Sequence, residues 1–395
     1  MSLILLLAVA SAQPTVVRPG VEVLATDSIG LVKGRRVGLV TNYAAVGRDG
    51  RSAVDILLGA GVRLTALFSP EHGFRGAADP GEAVASSVDS ATGLPIYSLY
   101  GRTSQPTPEM LADVDVIAVD LPDVGARYYT YLHTTIEVMR AAARAGKRVL
   151  VLDRPNPIGG QVQGIILDSA YRSGVGALAM PIRHGLSLGE QALLARLELG
   201  LTADLLVVPA AGWRRRDDQY VTHLPFLPPS PNLKDIESLF HYPGTCLFEG
   251  TALSVGRGTD FPFHQIGAPW LDTTAVLAIV RKAGLKGVRF VSTTFRPVAP
   301  GDAKHPDVLL AGIRLVMTDR NRYDPVLTAI ALLDAVQRVH PDRIGFRNSG
   351  FDRLAGGPAI REAVQAGRKP AAIVASWKGG INAFKARSRP FLLYR

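Results

Sequence analysis

The chain has 395 residues, 47% of them hydrophobic and 20% charged, and a formal net charge of +10. This composition is that of a globular protein and excludes a disordered chain, and the length predicts two domains because it exceeds what one hydrophobic core usually covers. The basic residues are scattered, and the one dense run, 214–216, is followed at once by two aspartates. Because the chain also has no nucleic-acid-binding motif, its charge does not indicate a nucleic-acid partner.

The N-terminus has the outline of a secretory signal peptide. Residues 3–9 are all apolar and lead into Ala10-Ser-Ala12, a small-x-small cleavage pattern. We therefore expect a signal peptide over 1–12 and export to the periplasm or to the cell exterior. Stable membrane insertion is not expected, because a spanning helix needs about 20 apolar residues.

Five apolar runs in the first half of the chain each end in polar or charged residues. They span 36–40, 64–68, 114–119, 148–152 and 177–182. Helical patterns lie at 130–145 and 187–199, the second with the Ser187 and Glu190 spacing of a capping box. Alternating strands and helices predict a parallel sheet covered on both faces, so we expect a Rossmann-like doubly wound α/β domain over 13–222. Its polar strand ends should converge on one rim of the sheet, where ligands bind in such folds.

The second part of the chain, 223–395, predicts a smaller α/β domain. It begins with the Pro-rich passage 224–232, which can continue neither a helix nor a central strand and is expected to be a linker or a wall of the site. The segment 242–264 combines glycines with Glu249 and Arg257 and has no regular period, which indicates an active-site loop. The later elements of this domain are predicted as helices over 273–283 and 325–339 and strands over 288–294 and 309–317.

Several common cofactor motifs are missing from the sequence. The first predicted strand is followed by Thr41-Asn-Tyr-Ala-Ala45 instead of G-x-G-x-x-G, and neither a Walker loop nor a G-x-S-x-G elbow occurs. The single cysteine, Cys246, excludes an intrachain disulfide and lies among apolar residues, which predicts a buried thiol. We expect no cofactor, and the function has to be argued from the site itself.

Long motifs along the chain resemble those of one known family. They are Ser69-Pro-Glu-His-Gly-Phe-Arg-Gly76, Leu99-Tyr-Gly101, Asp120-Leu-Pro-Asp-Val-Gly-Ala-Arg-Tyr-Tyr-Thr-Tyr131, Leu152-Asp-Arg-Pro-Asn-Pro157, Arg183-His-Gly185, Pro229-Ser-Pro-Asn232, Glu249-Gly-Thr251 and Gly256-Arg-Gly-Thr259. They are similar to motifs of the exo-β-N-acetylmuramidases, and the resemblance covers nearly the whole chain after the predicted signal peptide. It implies a bacterial glycoside hydrolase that removes terminal β-linked N-acetylmuramic acid from the non-reducing end of peptidoglycan fragments. It also implies a Rossmann-like catalytic domain with a smaller C-terminal domain beside the cleft.

The chemistry of glycoside hydrolysis selects candidate catalytic residues. One carboxylic acid protonates the leaving oxygen, and a second carboxylate commonly acts as base or nucleophile. We expect Glu71 to be the general acid, with His72 as an orienting neighbour, and Asp120 or Asp123 to be the second carboxylate. Structural alternatives are that Glu71 or Asp123 pairs with an arginine such as Arg127, and that Asp120 binds loop amides. Hydrolysis assisted by the substrate's own N-acetyl group would need no protein nucleophile.

Muramic acid carries a lactyl carboxylate, which an arginine fork can bind with two parallel hydrogen bonds. Arginines are therefore expected at the carboxylate, asparagines at hydroxyl or acetamido groups, and a histidine either at a sugar hydroxyl or bound within its own loop. With one tyrosine and one glutamate from the family motifs, the predicted substrate-binding residues are Asn42, Arg127, Tyr128, Arg154, Asn156, His184, Glu249 and Arg257.

Four positions differ from the pattern of that family. Pro122 stands where the family usually has Gln, Ala252 where it has Asn, and Val255 and His264 where it has Glu. We expect these differences to alter contacts with the substrate.

Two other classes of function are compatible with the sequence. A metal-dependent hydrolase could use His72, Asp120, Asp123 and His184, because imidazole and carboxylate ligands suit zinc, although no H-E-x-x-H spacing is present. A non-catalytic periplasmic sugar-binding protein would also have two α/β domains around a cleft.

Overall fold

The structure is a computed structural model that describes residues 16–71, 73–74 and 86–395. The predicted signal peptide and the predicted orienting residue His72 lie outside the described residues. Within the described ranges, no helix has both the length and the apolarity needed to cross a membrane.

The first part of the chain alternates strands and helices, as predicted. Its strands are β1 (Arg36–Thr41), β2 (Arg63–Ser69), β3 (Ser87–Val88), β4 (Pro95–Ser98), β5 (Val116–Asp120), β6 (Arg148–Leu152), β7 (Gln163–Ile166), β8 (Pro181–Arg183) and β9 (Asp204–Val208). Its helices are α1 (Gly20–Thr26), α2 (Ala53–Gly59), α3 (Tyr131–Arg144), α4 (Leu188–Glu198) and α5 (Gln219–Thr222).

Seven strands form the main sheet, in the order β3-β4-β2-β1-β5-β6-β9. All neighbours are parallel except β3, which runs antiparallel to β4. Counted along the chain, the six parallel strands follow the order 3-2-1-4-5-6 of Rossmann sheets, so the doubly wound prediction is confirmed. The order reverses between β1 and β5, where Thr41 pairs with Asp120.

One predicted strand of this sheet is placed elsewhere. The run 177–182 contributes β8 to a separate antiparallel pair with β7, and β9 occupies the sheet position beside β6 instead. Pro181 explains the difference, because proline cannot donate a hydrogen bond to a central ladder. β9 (Asp204–Val208), which the sequence analysis did not predict, forms the edge of the main sheet and is partly exposed.

Side chains of the central strands alternate between two apolar layers. Val149 and Val151 of β6 belong to the large cluster on the side of α3 and α4, whereas Leu150 and Leu152 belong to the cluster on the side of α1 and α2. The capping box at the start of α4 is also confirmed, because Ser187 accepts a hydrogen bond from the Glu190 amide and Glu190 accepts one from the Ser187 amide. Helices therefore cover both faces of the sheet.

The second part of the chain is a smaller α/β region. Its elements are α6 (Ile236–Thr245), β10 (Gln265–Ala268), α7 (Thr273–Lys282), β11 (Val288–Phe295), β12 (Leu310–Met317), α8 (Pro325–Val339), α9 (Asn348–Ala355), α10 (Ala359–Gln365), α11 (Pro370–Ala375) and α12 (Lys378–Ser388). The strands form an antiparallel sheet in the order β10-β12-β11, and α8 packs against α6, α7, α10 and α11. The helices and strands predicted between 273 and 339 are confirmed.

The segment 242–264 is more regular than predicted. Helix α6 continues through Thr245 despite Pro243, and a 3₁₀ helix, Cys246–Gly250, follows it. A capping box of Asp235 and Ser238 starts α6. At Gly244 an added Cβ would lie 2.1 Å from the Pro325 carbonyl oxygen, so close packing against α8 holds a Pro-Gly pair in helical form. Tertiary contact has outweighed a local signal for a turn.

Candidate active site

A cavity of 580 Å³ lies where loops from the main sheet meet α6 and the segment that follows it. This central cavity is lined by loops that follow β2, β4 and β5 and by residues from the second part of the chain. The lining residues used below are Glu71, Tyr100, Tyr128, Tyr129, Thr130, Tyr242, Cys246, Glu249, Arg257 and Phe263. Its volume is within the usual range for small-molecule sites.

Glu71 lies two residues beyond the end of β2 and is only 8% exposed. The Thr130 hydroxyl donates a hydrogen bond of 2.7 Å to Glu71 Oε2. Burial, followed by the charge of Glu71 and a hydrogen bond to it, raises the pKa of the Tyr100 hydroxyl to about 12. Tyr100 therefore stays neutral and is a second donor to this carboxyl group. Two hydroxyls from different loops fix Glu71 in the wall of the cavity.

Glu249 and Arg257 form an ion pair in the part of the wall supplied by the second region. Arg257 Nε and Nη2 each lie 2.6 Å from Glu249 Oε1, and the guanidinium lies 5.1 Å from the centre of the Phe263 ring. Burial opposes the charge on Arg257, but the Glu249 carboxylate outweighs it and raises the pKa of Arg257. The buried Nη1 of Arg257 has no hydrogen-bond partner among the described residues. The cavity wall thus holds a permanent cation, one of whose donors is buried without a partner among those residues.

Aromatic rings make up much of the remaining wall. Tyr242 packs edge-on against Tyr128, Tyr129 and Phe263, with ring centres 5.9, 6.5 and 4.8 Å apart. The Tyr128 hydroxyl donates to the Pro243 carbonyl, and the Tyr129 hydroxyl donates to a carbonyl of the Pro-rich passage. Burial raises the pKa of Tyr128, Tyr129 and Tyr242 well above the ordinary value, so their hydroxyls stay neutral. This part of the cavity wall is therefore rigid, uncharged and aromatic.

Lys304 supports the site, and the sequence interpretation missed it. Its buried ammonium donates to the carbonyl oxygens of Phe248, Glu249 and Leu253 at 2.8–3.0 Å, and burial lowers the pKa of Lys304 to about 8. It therefore fixes the backbone that carries Glu249. The flanking residues Ala303 and His305 have a left-handed backbone, with φ angles of 55° and 49°. Neither is a glycine, so the sequence gives no sign of this conformation, and the position of Lys304 could not be predicted.

A second group of predicted residues lies at the point where the sheet order reverses, and we call it the switch-point cluster: Asp120, Asp123, Arg154, Asn156 and His184. Asp120 is completely buried and accepts hydrogen bonds from Arg154 Nε and Nη2 at 2.5 and 2.8 Å. Arg154 also donates to the Val46 carbonyl. Asp120 therefore binds a guanidinium rather than loop amides.

The other members of the switch-point cluster also contact one another and nearby backbone. Asp123 Oδ2 accepts hydrogen bonds from the Gly125 amide and from Gln191, and lies 3.4 Å from His184 Nε2. His184 Nδ1 accepts from the Leu186 amide, and Asn156 bridges the Leu186 carbonyl and the Ile158 amide. None of the five lines the central cavity. Asp123 and Arg154 instead line a much smaller cavity of 50 Å³.

Asn42 and Arg127 likewise have internal partners. Asn42 donates to the Tyr131 hydroxyl and accepts from the Ala44 amide. Arg127 donates to the carbonyl oxygens of Ile165, Met180 and Leu354, and its burial lowers the pKa to about 10. Of the predicted site residues, the structure brings Glu71, Tyr128, Glu249 and Arg257 together at the central cavity. All the assigned roles stay predictions.

Of the residues considered for a metal hydrolase, His72 lies outside the described residues, and the three that are described, Asp120, Asp123 and His184, do not form a metal-ligand group. Among the described residues, the grouping with suitable ligand atoms close together is Glu237, His241 and His264, all within 4.8 Å of one another. These three do not line the central cavity. Cys246 is a buried thiol, as predicted, and burial raises its pKa well above the ordinary value.

Two domain profiles of one family match the chain almost from end to end. The profile of exo-β-N-acetylmuramidase NamZ, N-terminal, matches residues 37–237, and the corresponding C-terminal profile matches residues 240–394. The chain belongs to this family. It is 41% identical over 387 residues to the peptidoglycan β-N-acetylmuramidase NamZ of Bacillus subtilis strain 168, covering 97% of this chain and 93% of that protein.

Two solved structures share the architecture of this chain. A DUF1343 family protein from Bacteroides fragilis NCTC 9343 superposes with a TM-score of 0.87 at 34% identity, covering 96% of this chain and 99% of that one. A second DUF1343 family protein from the same organism has a TM-score of 0.76 at 32% identity, with the same coverage. Two separate relatives therefore have the same two-part fold.

None of the four residues that depart from the family pattern lines the central cavity itself. Pro122 lines the 50 Å³ cavity beside the switch-point cluster, and Val255 is fully buried. The Ala252 amide donates to the Ile344 carbonyl, and His264 contacts Asp235. Two of the four positions still touch the wall indirectly, because the Val255 carbonyl accepts a hydrogen bond from the amide of the lining residue Phe263 and His264 follows Phe263 in the chain.

Proposed function

We propose that this protein is an exo-acting glycosidase that releases terminal β-linked N-acetylmuramic acid from the non-reducing end of peptidoglycan fragments. Membership of the exo-β-N-acetylmuramidase family supports this activity. The single structural observation that carries it is a buried carboxyl group, Glu71, in the same cavity as a charged guanidinium, Arg257.

Glu71 acts as the general acid. Thr130 and Tyr100 hold its carboxyl group at the wall, so that a substrate in the cavity meets it in a fixed orientation. Protonation of the leaving oxygen by a positioned carboxylic acid is the step on which most glycoside hydrolases depend. Asp120 and Asp123 are less suited to act as the second carboxylate, because both are bound within the switch-point cluster.

Arg257 binds the lactyl carboxylate. Of the three arginines considered for this contact, Arg127 has both Nη atoms bound to backbone carbonyls and Arg154 is paired with Asp120, and neither lines the central cavity. Arg257 lines the cavity and keeps one unpartnered donor, while Glu249 fixes the orientation of its fork. A carboxylate-binding arginine would distinguish muramic acid from glucosamine derivatives, which lack the lactyl group.

The test is hydrolysis of a chromogenic β-N-acetylmuramide and of the matching β-N-acetylglucosaminide. We expect the parent protein to cleave only the muramide, and Glu71→Gln to lower kcat/KM by about 10²- to 10⁴-fold, the usual contribution of acid–base catalysis. The exposed Glu109→Gln is the matched control and should retain activity. Full activity in Glu71→Gln, or equal cleavage of both sugars, would contradict the proposal. Binding of muramoyl sugars without any turnover would favour a sugar-binding protein.

We further propose that the protein acts outside the cytoplasm, in the periplasm or the medium. The apolar N-terminal stretch and its small-x-small site support export, as does a substrate derived from the cell wall. N-terminal sequencing of the protein from fractionated cells tests this. A mature chain that begins after Ala12 in the exported fraction is expected, and an uncleaved chain confined to the cytoplasm would refute it.

A further inference from the structure

Three ligand-type side chains meet in the second region, outside the central cavity. Glu237 and His241 are four residues apart on α6 and therefore lie on one face of that helix. His264 precedes β10 and comes from a different segment of the chain. One ligand atom from each of the three lies within 4.8 Å of the other two. Both histidines are buried.

One pair among the three side chains has the spacing of neighbouring ligand atoms in a metal site, and the third side chain now contacts a neighbouring carboxylate. His241 Nε2 lies 3.2 Å from Glu237 Oε1, and His264 Nε2 lies 3.0 Å from both carboxylate oxygens of Asp235. A tetrahedral zinc site with bonds of about 2.0–2.1 Å has neighbouring ligand atoms about 3.3 Å apart. The Glu237–His241 pair already has this spacing, and His264, which has a ligand atom within 4.8 Å of both, would exchange its contact with Asp235 for the metal ion.

A further contact orients one ligand. The Tyr323 hydroxyl lies 2.8 Å from His241 Nδ1, and Tyr323 is itself buried. This contact fixes the imidazole so that Nε2 faces Glu237. Hydrogen bonding at the second ring nitrogen is the usual support of a metal-binding histidine.

The group also has access to solvent. Asp235, Glu237 and His264 line a cavity of 600 Å³ that shares no lining residue with the central cavity. Lys234 and Arg314 line it too and add positive charge, which the carboxylates of Asp235 and Glu237 offset. An ion could enter by this cavity, and its fourth coordination position would face Asp235 or water.

We propose that Glu237, His241 and His264 form a binding site for a divalent transition-metal ion of the zinc type, which clips α6 to the segment before β10. Two imidazoles and one carboxylate suit zinc, whereas magnesium and calcium prefer oxygen ligands alone. A metal ion bound to His264 would also restrain the backbone of Phe263, because His264 directly follows Phe263. Phe263 has a left-handed backbone, φ 64°, and its ring lies beneath Arg257 in the central cavity. The site therefore stabilises one wall of that cavity and takes no part in bond cleavage.

Metal retention by the purified full-length chain tests the site. After chelator treatment, incubation with Zn²⁺ and desalting, we expect one zinc per chain, and with Co²⁺ the visible absorption of a tetrahedral site. Glu237→Gln and His264→Gln should lose both signals, while His340→Gln, a histidine elsewhere in the same region, should keep them. Glu237→Gln retains an acceptor for the Met317 amide that Glu237 now binds at 2.7 Å, so a folded variant is expected. Absence of retained zinc and of the cobalt bands in the parent chain would overturn the proposal.

A second variant separates a metal site from a hydrogen-bonded cluster. Tyr323→Phe keeps all three ligands but removes the partner of His241 Nδ1, and it should weaken zinc binding by about 10- to 100-fold, as such orienting contacts do. Zinc should also raise the melting temperature of the parent and not that of Glu237→Gln. Unchanged zinc affinity in Tyr323→Phe, or an equal thermal shift in Glu237→Gln, would refute these assignments. Both readouts are independent of glycosidase activity.

Discussion

The switch-point cluster and the central cavity are both built from residues that follow strands of the same sheet, and they differ in what their charged groups contact. Asp120 and Arg154 have their hydrogen bonds satisfied by each other and by backbone. Glu71 and Arg257 face a cavity large enough for a sugar. The position of a polar residue at the end of a strand therefore predicts roughly where it lies. Whether it can bind a ligand depends on whether its polar atoms are already bonded to other residues of the protein.

The three candidate arginines show the same contrast within one residue type. Arg127 ties the two parts of the chain together by donating to Met180 and Leu354 carbonyls. Arg154 neutralises Asp120 inside the first part. Arg257 lines the central cavity, is paired with Glu249 and has one buried donor without a partner among the described residues. A guanidinium has enough donors for structural and ligand contacts together, and only the geometry shows how they are divided.

The largest expected effect concerns Asp120. Asp120→Asn leaves the Arg154 guanidinium without its buried counter-ion and should lower the free energy of unfolding by about 3–5 kcal/mol, measured by urea denaturation. Folded enzyme should retain its activity on the muramide, in contrast to Glu71→Gln. The double variant Asp120→Asn/Arg154→Met should recover part of the stability. Loss of activity in stable Asp120→Asn protein would show that the switch-point cluster takes part in catalysis.

The next effect is a pH dependence that arises beside the same cluster, at Asp153. Burial raises the pKa of Asp153 to about 6, although Ser187, Tyr394 and the Gly189 amide donate hydrogen bonds to it. The ordinary pKa of an aspartate is near 4. Between about pH 4 and pH 6, the Asp153 carboxyl group is therefore protonated in the folded state but ionised in the unfolded state. Its contribution to stability is therefore complete below pH 4 and is lost as the pH rises through 6, by about 3 kcal/mol.

Urea denaturation at pH 4, 5 and 6 measures this contribution. Asp153→Asn should show a smaller decline in the free energy of unfolding across this range than the parent does. The exposed Asp204→Asn is the control and should follow the parent. Parallel curves for the parent and Asp153→Asn would mean that Asp153 is already charged in the folded protein at pH 4.

A smaller effect is expected at the cavity wall. Arg257→Lys keeps the charge but loses the planar fork, and it should cost about 1.5–3 kcal/mol of substrate binding, or about 10- to 100-fold in kcat/KM for the muramide. Stability should change little. The exposed Arg216→Lys serves as the control. If Arg257→Lys hydrolyses the muramide as well as the parent does, the lactyl carboxylate binds elsewhere.

The smallest effect is expected at Cys246, which lines the cavity without a chemical role. Burial, followed by the charge of Glu249, raises its pKa, so the thiol is neutral and a poor nucleophile. Cys246→Ser should leave kcat/KM nearly unchanged, and iodoacetamide should label the parent only after denaturation. Rapid labelling of the folded protein with loss of activity would reverse this assignment.

Much of the fold was predictable because its signals are local. The apolar runs that became β1, β2, β5 and β6 and the helices α3, α4 and α8 are visible as periodic patterns. The exceptions were positions where packing outweighed the local pattern. Pro243 and Gly244 continue a helix against α8, and the run before Arg183 pairs outside the main sheet.

The sequence by itself determined the layered α/β architecture, the family membership through long motifs, and the candidate carboxyl group at Glu71. Only the tertiary structure decided which charged residues reach the cavity. The physical reason is that the deciding contacts join distant parts of the chain: Arg154 lies 34 residues from Asp120, and Lys304 lies 51 residues from the Leu253 carbonyl that it binds. Periodicity describes neighbours along the chain, whereas availability to a ligand depends on partners that the fold brings in from elsewhere.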